Sequence, residues 1–321
     1  MRAAAILGLG CSAKELKPFQ AEHNSGHDLE WRMGMPASAD EADVILLFGG
    51  DGTIHRHLGQ LVRLGLPVLV VPAGSGNDFA RALGLRRVRD SLAAWRRFCG
   101  SAVHARPDET RPDNARPDNV RSIDLGLISP VETAGESPAP HGSRYFCCIA
   151  GVGLDGEVSR RANRLPRWLR GHGGYVLSLV PAIFSFAPMG VKVLTAAENN
   201  ESDRAGESWI ARSDRPTLLA AFANTPVYGG GMKIAPRARV DDGLLDVCVV
   251  GAVDRLRLLR LFPTVYSGQH LNVTEVEYFQ SKRVRVETQR PVDVYADGEY
   301  VCRTPVEVGI QRGALRVIVH P

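Results

Sequence analysis

The chain has 321 residues, of which 44% are hydrophobic and 23% are charged, the composition of an ordinary globular protein. This length exceeds what one hydrophobic core usually spans, so it predicts two domains. The formal net charge of +4 at pH 7 is too small to indicate a nucleic-acid partner.

The six cysteines show no metal-ligand spacing, so reduced thiols in a cytoplasmic protein are the simplest interpretation. Residues 1–10 contain one arginine and a short apolar run, which is typical of a first strand rather than a signal peptide. No uncharged apolar segment reaches membrane-spanning length; residues 175–186 come closest, but they include Pro181. Any membrane contact is therefore expected to be peripheral.

A glycine-rich segment follows an early apolar run. Residues 42–48 have strand length, and residues 55–64 carry apolar side chains at helical spacing. The sequence Gly-Gly-Asp-Gly-Thr at residues 49–53 therefore lies at a strand-to-helix turn. Glycine has no Cβ, so main-chain N–H groups can approach a bulky anion there, and the helix N-terminus adds its dipole.

A second strand and turn follow directly. Residues 67–71 are apolar and lead into Pro-Ala-Gly-Ser-Gly-Asn-Asp at residues 72–78. Asn77 or Asp78 is expected to cap a helix over residues 79–83. The two turns are predicted to lie side by side at one edge of a parallel sheet.

Two loops are predicted in the middle of the chain. Arg-Pro-Asp recurs at residues 106–108, 111–113 and 116–118, where proline blocks a helix and the alternating charge cannot form a core. Residues 131–143 form the second loop. Between the loops, residues 121–128 alternate as a strand, with residues 145–150 as the expected hairpin partner. We predict a first domain over residues 1–121, to which a strand in residues 306–321 returns, and a second domain over residues 122–305.

An arginine-rich segment precedes the apolar residues 175–186. It contains Arg160, Arg161, Arg164, Arg167 and Arg170 beside Trp168. Two interpretations stay open: a solvated helix face, or a patch that meets anionic lipid headgroups while residues 175–186 flank an acyl-chain groove. Asp155, shortly before, is either an active-site acid or the cap of the following helix.

The rest of the chain is rich in strands. From residue 190 onward, β-branched and alternating patterns with short turns predict a mostly antiparallel β-sandwich. Residues 254–268 are the exception, because their leucines predict one covering helix. Residues 315–319 are expected to end the chain as a strand.

Several motifs together resemble one family. Gly-Gly-Asp-Gly-Thr at residues 49–53, followed by Pro-Ala-Gly-Ser-Gly-Asn-Asp-Phe-Ala at residues 72–80, is similar to the diacylglycerol kinase catalytic family. That family includes bacterial lipid kinases and sphingosine kinases and is distantly related to NAD kinases. Tyr-Ala-Asp-Gly-Glu at residues 295–299 and Pro-Arg-Ala-Arg-Val-Asp-Asp-Gly-Leu-Leu-Asp at residues 236–246 match as well.

The resemblance implies a fold and an activity. The fold is an α/β nucleotide-binding domain with a parallel sheet, followed by a mostly antiparallel β-sandwich domain. The activity is that of a phosphotransferase with an alcohol acceptor: an ATP-dependent lipid kinase that transfers the γ-phosphate to a hydroxyl of a lipid such as diacylglycerol, with Mg²⁺. Its partner would be a lipid substrate at the membrane surface, reached from the cytoplasm.

The same resemblance assigns the nucleotide side of the site. The phosphates would be held by Gly49, Gly50, Gly52, Thr53, Gly74 and Ser75. A carboxylate does not bind phosphate directly, so Asp51 would be a ligand of catalytic Mg²⁺. Asn77 and Asp78 would support this site, with a simple helix cap as the alternative for Asp78.

The acceptor side is assigned by the late Asp-Gly-Glu triplet. By likeness to the family, either Glu299 or Asp297 would take the proton of the acceptor hydroxyl while the other assists or binds Mg²⁺. Asp-Gly-Glu alone is a common hairpin turn. A structural Mg²⁺ would be held by Asp242 with the main-chain carbonyls of Arg239 and Leu244, and an acidic turn without an ion is the alternative.

Two other functions remain open. One is an NAD kinase-like enzyme. The other is a catalytically inactive, nucleotide-binding regulatory protein, because residues 8–12 (Gly-Leu-Gly-Cys-Ser) replace the family's asparagine-proline turn and the early region is short. The sequence names neither the lipid nor the oligomeric state, and a homodimer is among the options.

Overall fold

The computed structural model describes residues 1–22, 29–104, 117–131, 142–165, 175–197 and 208–320. For residues 102–104, 163 and 175–177 it describes the main chain alone. Two compact units are present: Met1–Ile123 together with Gly313–Pro321, and Asp124–Arg312. Most of the Arg-Pro-Asp repeat, most of the second predicted loop, and Arg167, Trp168 and Arg170 lie outside the described residues.

The first unit is an α/β layer structure. Its elements are β1 (Arg2–Leu7), α1 (Ala13–Ala21), β2 (Glu30–Met33), β3 (Val44–Gly49), α2 (Asp51–Leu64), β4 (Val68–Pro72), α3 (Asp78–Ala82) and α4 (Val88–His104). The strands pair in parallel in the order β2-β1-β3-β4, and Val317 near the chain end pairs in parallel with Val68 of β4. The buried, continuously apolar β3 is typical of a parallel sheet with both faces covered.

Local chemistry and packing fix the helices of this unit. Ser12 and Glu15 form a capping box at the start of α1, and Gly65 in the left-handed conformation ends α2. The buried indole of Trp95 on α4 donates a hydrogen bond of 3.1 Å to the carbonyl of Phe19 on α1. This contact joins the two helices over the sheet.

The second unit is dominated by strands. Its elements are β5 (Val120–Pro130), which begins in the first unit, β6 (Arg144–Phe146), β7 (Ile149–Gly153), α5 (Leu154–Arg164), α6 (Tyr175–Ser185), β8 (Met189–Ala196), β9 (Trp209–Ala223), β10 (Leu245–Gly251), α7 (Arg255–Leu261), α8 (Thr264–Ser267), β11 (Val276–Ser281), β12 (Arg283–Thr288), β13 (Asp293–Ala296), β14 (Glu299–Arg303) and β15 (Val306–Ile318), whose last residues belong to the first unit.

The long strand β9 organises this unit. It pairs antiparallel with β7, β8 and β10, while β13 joins β7 and β12 joins β8. One apolar core, which includes Phe146, Val193 and Phe222, takes side chains from most of these strands. The parallel α/β unit and the antiparallel β unit confirm the predicted fold class.

Two local predictions were wrong in part. The single helix expected over residues 254–268 is two short helices, α7 and α8, with Pro263 between them, because proline lacks an N–H and restricts the residue before it. In the hairpin expected over residues 145–150, only β6 pairs with β5. After a bend at residues 147–148 the chain enters β7 and a different set of strands.

Candidate active site

The two glycine turns lie against each other in the first unit. Gly49 at the end of β3 pairs with Pro72 at the end of β4, so the segments that follow leave the same edge of the parallel sheet, as predicted. A Cβ on Gly50 would stand 2.9 Å from the Cα of Gly74, closer than such atoms approach. The two main chains thus touch because both positions are glycine.

Thr53 is the side chain around which these turns pack. A Cβ on Gly49 would come within 2.7 Å of the Thr53 Cβ, and one on Gly8 within 2.7 Å of the Thr53 hydroxyl oxygen. Gly8 also donates a main-chain hydrogen bond of 2.7 Å to the carbonyl of Phe48. The turn after β1, to which sequence analysis gave no role, therefore lies beside the first glycine turn.

Asp51 holds the second turn. One oxygen of its carboxylate accepts the N–H of Asp78 and the other accepts the N–H of Phe79, both at 3.1 Å. These are the first N–H groups of α3. Asn77 stands at the cap position of this helix, as expected, but its side chain makes no capping hydrogen bond. The side chain of Asn77 bonds to both the N–H and the carbonyl of Gly74 instead, and Asp78 pairs with Arg81.

The Asp-Gly-Glu triplet forms the turn between β13 and β14. Asp297 and Gly298 both have positive φ, 50° and 83°, as a tight two-residue hairpin turn requires. The Asp297 carboxylate accepts N–H groups from Cys147, Cys148 and Ile149 at 2.8–3.2 Å. The main chain thus occupies three of its acceptor positions.

Glu299 differs sharply from its neighbour. It begins β14 and is exposed to solvent. It makes no hydrogen bond or ion pair with any residue that the structure describes. The two acids of the triplet therefore have separate environments, a distinction that their spacing in the sequence does not reveal.

The acidic turn before β10 lies in the same unit. One oxygen of Asp242 accepts the N–H of Leu244 at 3.0 Å, and the other has no hydrogen-bond partner within the described ranges. Asp246 nearby is buried, and burial, reinforced by the negative charge of Asp242, raises the pKa of its carboxyl above the ordinary value. A half-buried carboxylate beside a second acid is chemistry that fits a divalent cation.

A buried polar chain links this turn to the Asp-Gly-Glu triplet. Asp124 accepts the N–H of Gly243 at 2.7 Å, and the Asn224 amide donates to the carbonyls of Asp124 and Cys147. Cys147 in turn bonds to Asp297. The sequence alone does not show the positioning roles of Asp124 and Asn224, since their hydrogen bonds join segments 77 to 119 residues apart in the chain.

The second unit also contains a largely apolar pocket. It encloses about 750 Å³ of empty space, part of which is open to solvent. Its lining is Leu154, Asp155, Val158, Leu179, Leu218, Leu219, Tyr228, Met232, Ile234, Val250, Val253, Leu258, Leu261, Phe262, Val265, His270, Val273 and Val276. Leu179 belongs to α6, the helix expected to flank an acyl-chain groove.

Three polar side chains stand among these apolar residues. Asp155 accepts the hydroxyl of Tyr228 at 2.9 Å and does not cap α5, whose cap residue is Gly153, so the cap interpretation was wrong. His270 bonds through Nε2 to the carbonyl of Ile234. Because a carbonyl only accepts, Nε2 carries the proton, and burial lowers the histidine pKa.

The arginine-rich segment is partly neutralised. Arg160 and Arg161 both pair with Glu157 on α5. No helix among the described residues has both the length and the apolar character needed to cross a membrane.

Comparison with known proteins gives two family matches. Residues 14–106 match the diacylglycerol kinase catalytic domain, and residues 148–319 match the YegS C-terminal NAD kinase beta sandwich-like domain. The second match alone covers more than half of the chain.

Individual relatives agree. The chain is 32% identical over 283 residues to a diacylglycerol kinase of Mycobacterium tuberculosis, covering 88% of this chain and 78% of the relative. It is 27% identical over 273 residues to a diacylglycerol kinase of Bacillus subtilis, covering 84% and 76%. A crystal structure of a diacylglycerol kinase from Bacillus anthracis covers 100% of this chain and 97% of its own with a TM-score of 0.60, and at 18% identity it shows the fold alone. The chain therefore belongs to the diacylglycerol kinase catalytic family of lipid kinases and is a phosphotransferase with an alcohol group as acceptor.

Proposed function

We propose that this enzyme transfers the γ-phosphate of ATP to a hydroxyl of a neutral lipid such as diacylglycerol, with Mg²⁺. The observation that carries the lipid assignment is the apolar pocket of the second unit. A pocket lined almost wholly by leucine, valine, isoleucine, methionine and phenylalanine gains free energy by taking up hydrocarbon. An NAD-like acceptor, with its phosphates and riboses, would leave polar groups unpaired there.

The nucleotide is assigned to the paired glycine turns of the first unit. Gly49, Gly50, Gly52 and Ser75 would offer main-chain N–H groups to the phosphates, with the hydroxyl of Thr53 beside them. Gly74, whose N–H is bonded to Asn77, would contribute by letting the two main chains lie close together. The start of α2, a helix of 14 residues, adds a favourable dipole for an anion.

Mg²⁺ would supply charge neutralisation on the phosphates when bound. Asp51 would hold it, since the N–H groups of Asp78 and Phe79 fix its carboxylate beside the glycine turns, and a carboxylate oxygen is a preferred ligand of Mg²⁺. Asn77 and Asp78 would support the site indirectly, because Asn77 fixes the second turn through Gly74.

For the proton of the acceptor hydroxyl, we propose Glu299 as the base and Asp297 as the residue that positions it. A base needs a free lone pair within reach of the substrate. Glu299 is exposed and unengaged by described residues, whereas Asp297 is held by three N–H groups.

A second, structural Mg²⁺ is proposed at Asp242 with the carbonyls of Arg239 and Leu244. Oxygen donors of this kind suit a hard cation, and the cation would offset the repulsion between Asp242 and Asp246. Its role would be to fix the turn that Asp124 and Asn224 connect to the triplet.

The decisive experiment is an assay with ATP, Mg²⁺ and a panel of acceptors, with products identified by mass. The panel holds diacylglycerol of short and long chains, phosphatidylglycerol, a sphingoid base and NAD. We expect a lipid phosphate. Phosphorylated NAD would favour the NAD kinase-like function, and nucleotide binding without any product would favour the inactive regulatory protein.

A pocket variant tests the lipid assignment directly. Val158 on α5 is buried and lines the pocket, so Val158→Phe should fill part of it. We expect KM for long-chain diacylglycerol to rise about tenfold, since lost burial of about two methylenes costs on the order of 1–2 kcal/mol. Val88→Phe, at an exposed position of α4, is the matched control. An unchanged KM in a folded Val158→Phe enzyme would remove the pocket from lipid binding.

A further inference from the structure

Two adjacent thiols face the same side of the chain in the second unit. Along an extended strand, neighbouring side chains point to opposite faces. The bend between β6 and β7 breaks this alternation, so that the Sγ atoms of Cys147 and Cys148 are 3.9 Å apart. Both residues are buried.

A carboxylate completes the group. The Cys147 thiol donates to Oδ2 of Asp297 at 3.4 Å, and one donor atom from each of the three residues lies within 4.8 Å of the others. Among the residues that the structure describes, no other set of three such side chains comes together in this way.

The main chain holds this group rigidly from both edges. The N–H groups of Cys147 and Cys148 donate to Asp297, while their carbonyls accept hydrogen bonds from the side chain and the main chain of Asn224. The sulfur and oxygen atoms are therefore preorganised by bonds that do not involve the thiols, which lowers the entropic cost of placing a ligand among them.

The spacing suits a small thiophilic cation. Zinc binds thiolate sulfur at about 2.3 Å and carboxylate oxygen at about 2.0 Å, so a tetrahedral site has edges of about 3.8 Å between two sulfurs and about 3.5 Å between sulfur and oxygen. The corresponding distances here are 3.9 Å and 3.4 Å. We infer that Cys147, Cys148 and Asp297 form a binding site for a thiophilic divalent cation such as Zn²⁺ or Cd²⁺.

Binding exchanges protons for the cation. Each thiol loses its proton to solvent and forms a sulfur–metal bond, and the metal takes the place of the Cys147 thiol hydrogen on Oδ2 of Asp297. Two thiolates, one carboxylate and the cation leave one net negative charge, which the N–H groups on Asp297 stabilise. Three protein ligands leave a fourth position for water. Mg²⁺ does not compete, because it prefers oxygen donors.

Cd²⁺ titration of the full-length chain tests the inference. The parent carries Cys11→Ser and Cys99→Ser, which remove the two partly exposed thiols. We expect one Cd²⁺ per chain, an ultraviolet thiolate-to-cadmium absorption and the release of about two protons. Cys147→Ser and Cys148→Ser should each weaken binding at least about 100-fold, since even altered outer-shell partners cost 10–100-fold.

Controls keep this result interpretable. Cys248→Ser, a buried thiol on β10, should bind Cd²⁺ like the parent. Where a serine variant does not fold, Cys148→Ala replaces it, with folding followed by circular dichroism. A folded parent without the absorption, or Cys147→Ser and Cys148→Ser with parental affinity, would overturn the site.

The consequence for turnover rests on the proposed function, because it requires Asp297 to position the base. In that case Zn²⁺ should inhibit lipid phosphorylation by the parent enzyme, and Cys148→Ser should raise the inhibitory concentration about 100-fold or more. Cd²⁺ binding is measured without substrate, so an inactive protein that binds Cd²⁺ would reject the kinase proposal and leave the metal site standing.

Discussion

At the scale of single residues, Asp51 combines two demands on one carboxylate. It caps α3 from a position 27 residues earlier in the chain, and it is the proposed Mg²⁺ ligand. Asparagine separates these demands in part, because its amide oxygen still accepts one of the two N–H groups, whereas its NH₂ group cannot accept the other and the neutral amide binds a cation less well than a carboxylate.

We expect Asp51→Asn to fold and to lose at least about 100-fold in kcat, the magnitude of a lost electrostatic contact in a transition state. Asp51→Ala should also lower the free energy of unfolding by about 1–2 kcal/mol, because the cap is gone. Steady-state kinetics and urea titration measure the two effects. Wild-type turnover in Asp51→Asn would remove Asp51 from the chemistry.

Variants of the two acids in the Asp-Gly-Glu triplet should likewise differ in their effects on catalysis and on stability. Glu299→Gln should reduce kcat about 10²–10⁴-fold, the usual contribution of a general base, with no change in Tm, because the exposed side chain of Glu299 makes no hydrogen bond or ion pair with a described residue. Asp297→Asn should lower Tm as well, since its NH₂ group would face N–H donors. Equal stability of both variants, with the larger kinetic loss in Asp297→Asn, would reverse the assignment of base and positioning residue.

His270, which lines the pocket, should make the free energy of unfolding depend on pH. Burial holds the pKa of His270 below 6.5, so the unfolded chain binds a proton between the folded pKa and 6.5 that the folded chain does not. Stability should therefore rise with pH through this window and fall as the pH drops below 6.5. Urea titrations at pH 5.0–7.5 give the free energy of unfolding at each pH. Plotted against pH, this free energy should rise less steeply for His270→Gln than for the wild type. The same pH dependence in both proteins would show that His270 is not the group whose protonation lowers the stability.

The residue scale also shows where sequence reasoning reached its limit. The glycine turns were predictable, because strand, turn and helix patterns are local. The capping role of Asp51 and the positioning roles of Asp124 and Asn224 were not, since each bonds to main-chain groups far away in the chain. Nor could the spacing of Asp297 and Glu299 show that one is held and the other exposed.

At the scale of elements, α6 and α7 pack together and wall the pocket on their inner faces. Their outer faces expose Phe184 at 48% and Leu256 at 62%, and α7 adds exposed Arg255, Arg257 and Arg260. Apolar side chains among arginines are typical of a helix that lies at an anionic membrane interface.

Phe184→Asp with Leu256→Asp should therefore reduce the fraction of protein bound to vesicles that contain phosphatidylglycerol and raise KM for diacylglycerol presented in them. With short-chain diacylglycerol in solution, kcat should stay unchanged. Ile210→Asp is the matched control, because Ile210 is 53% exposed on β9. Equal vesicle binding of the double variant and the control would exclude these helices as the docking face.

For the whole molecule, the presence of an α/β unit and a β unit was predictable from the sequence, because each unit repeats one periodicity over a long stretch. Only one wall of the pocket was predictable from the sequence. The apolar helix over residues 175–185 was visible, but the remaining lining comes from strands and short helices that are distant in sequence. Which apolar side chains enclose a cavity depends on packing, not on pattern.

The proposed assignment of ATP to the first unit and of the lipid to the second unit predicts where each ligand slows amide hydrogen exchange. A nonhydrolysable ATP analogue with Mg²⁺ should protect peptides over residues 49–53 and 74–78 most strongly, and a long-chain diacylglycerol should protect peptides of α5, α7 and β9. At 100 times Kd, ligand binding stabilises the folded state by about 2.7 kcal/mol, enough to slow exchange about 100-fold where exchange requires global unfolding. In Asp51→Asn, the nucleotide should no longer protect these peptides, whereas the lipid still should. In Val158→Phe, the lipid protection should be lost and the nucleotide protection kept. Nucleotide protection confined to residues 124–312 would contradict the assignment of ATP to the glycine turns.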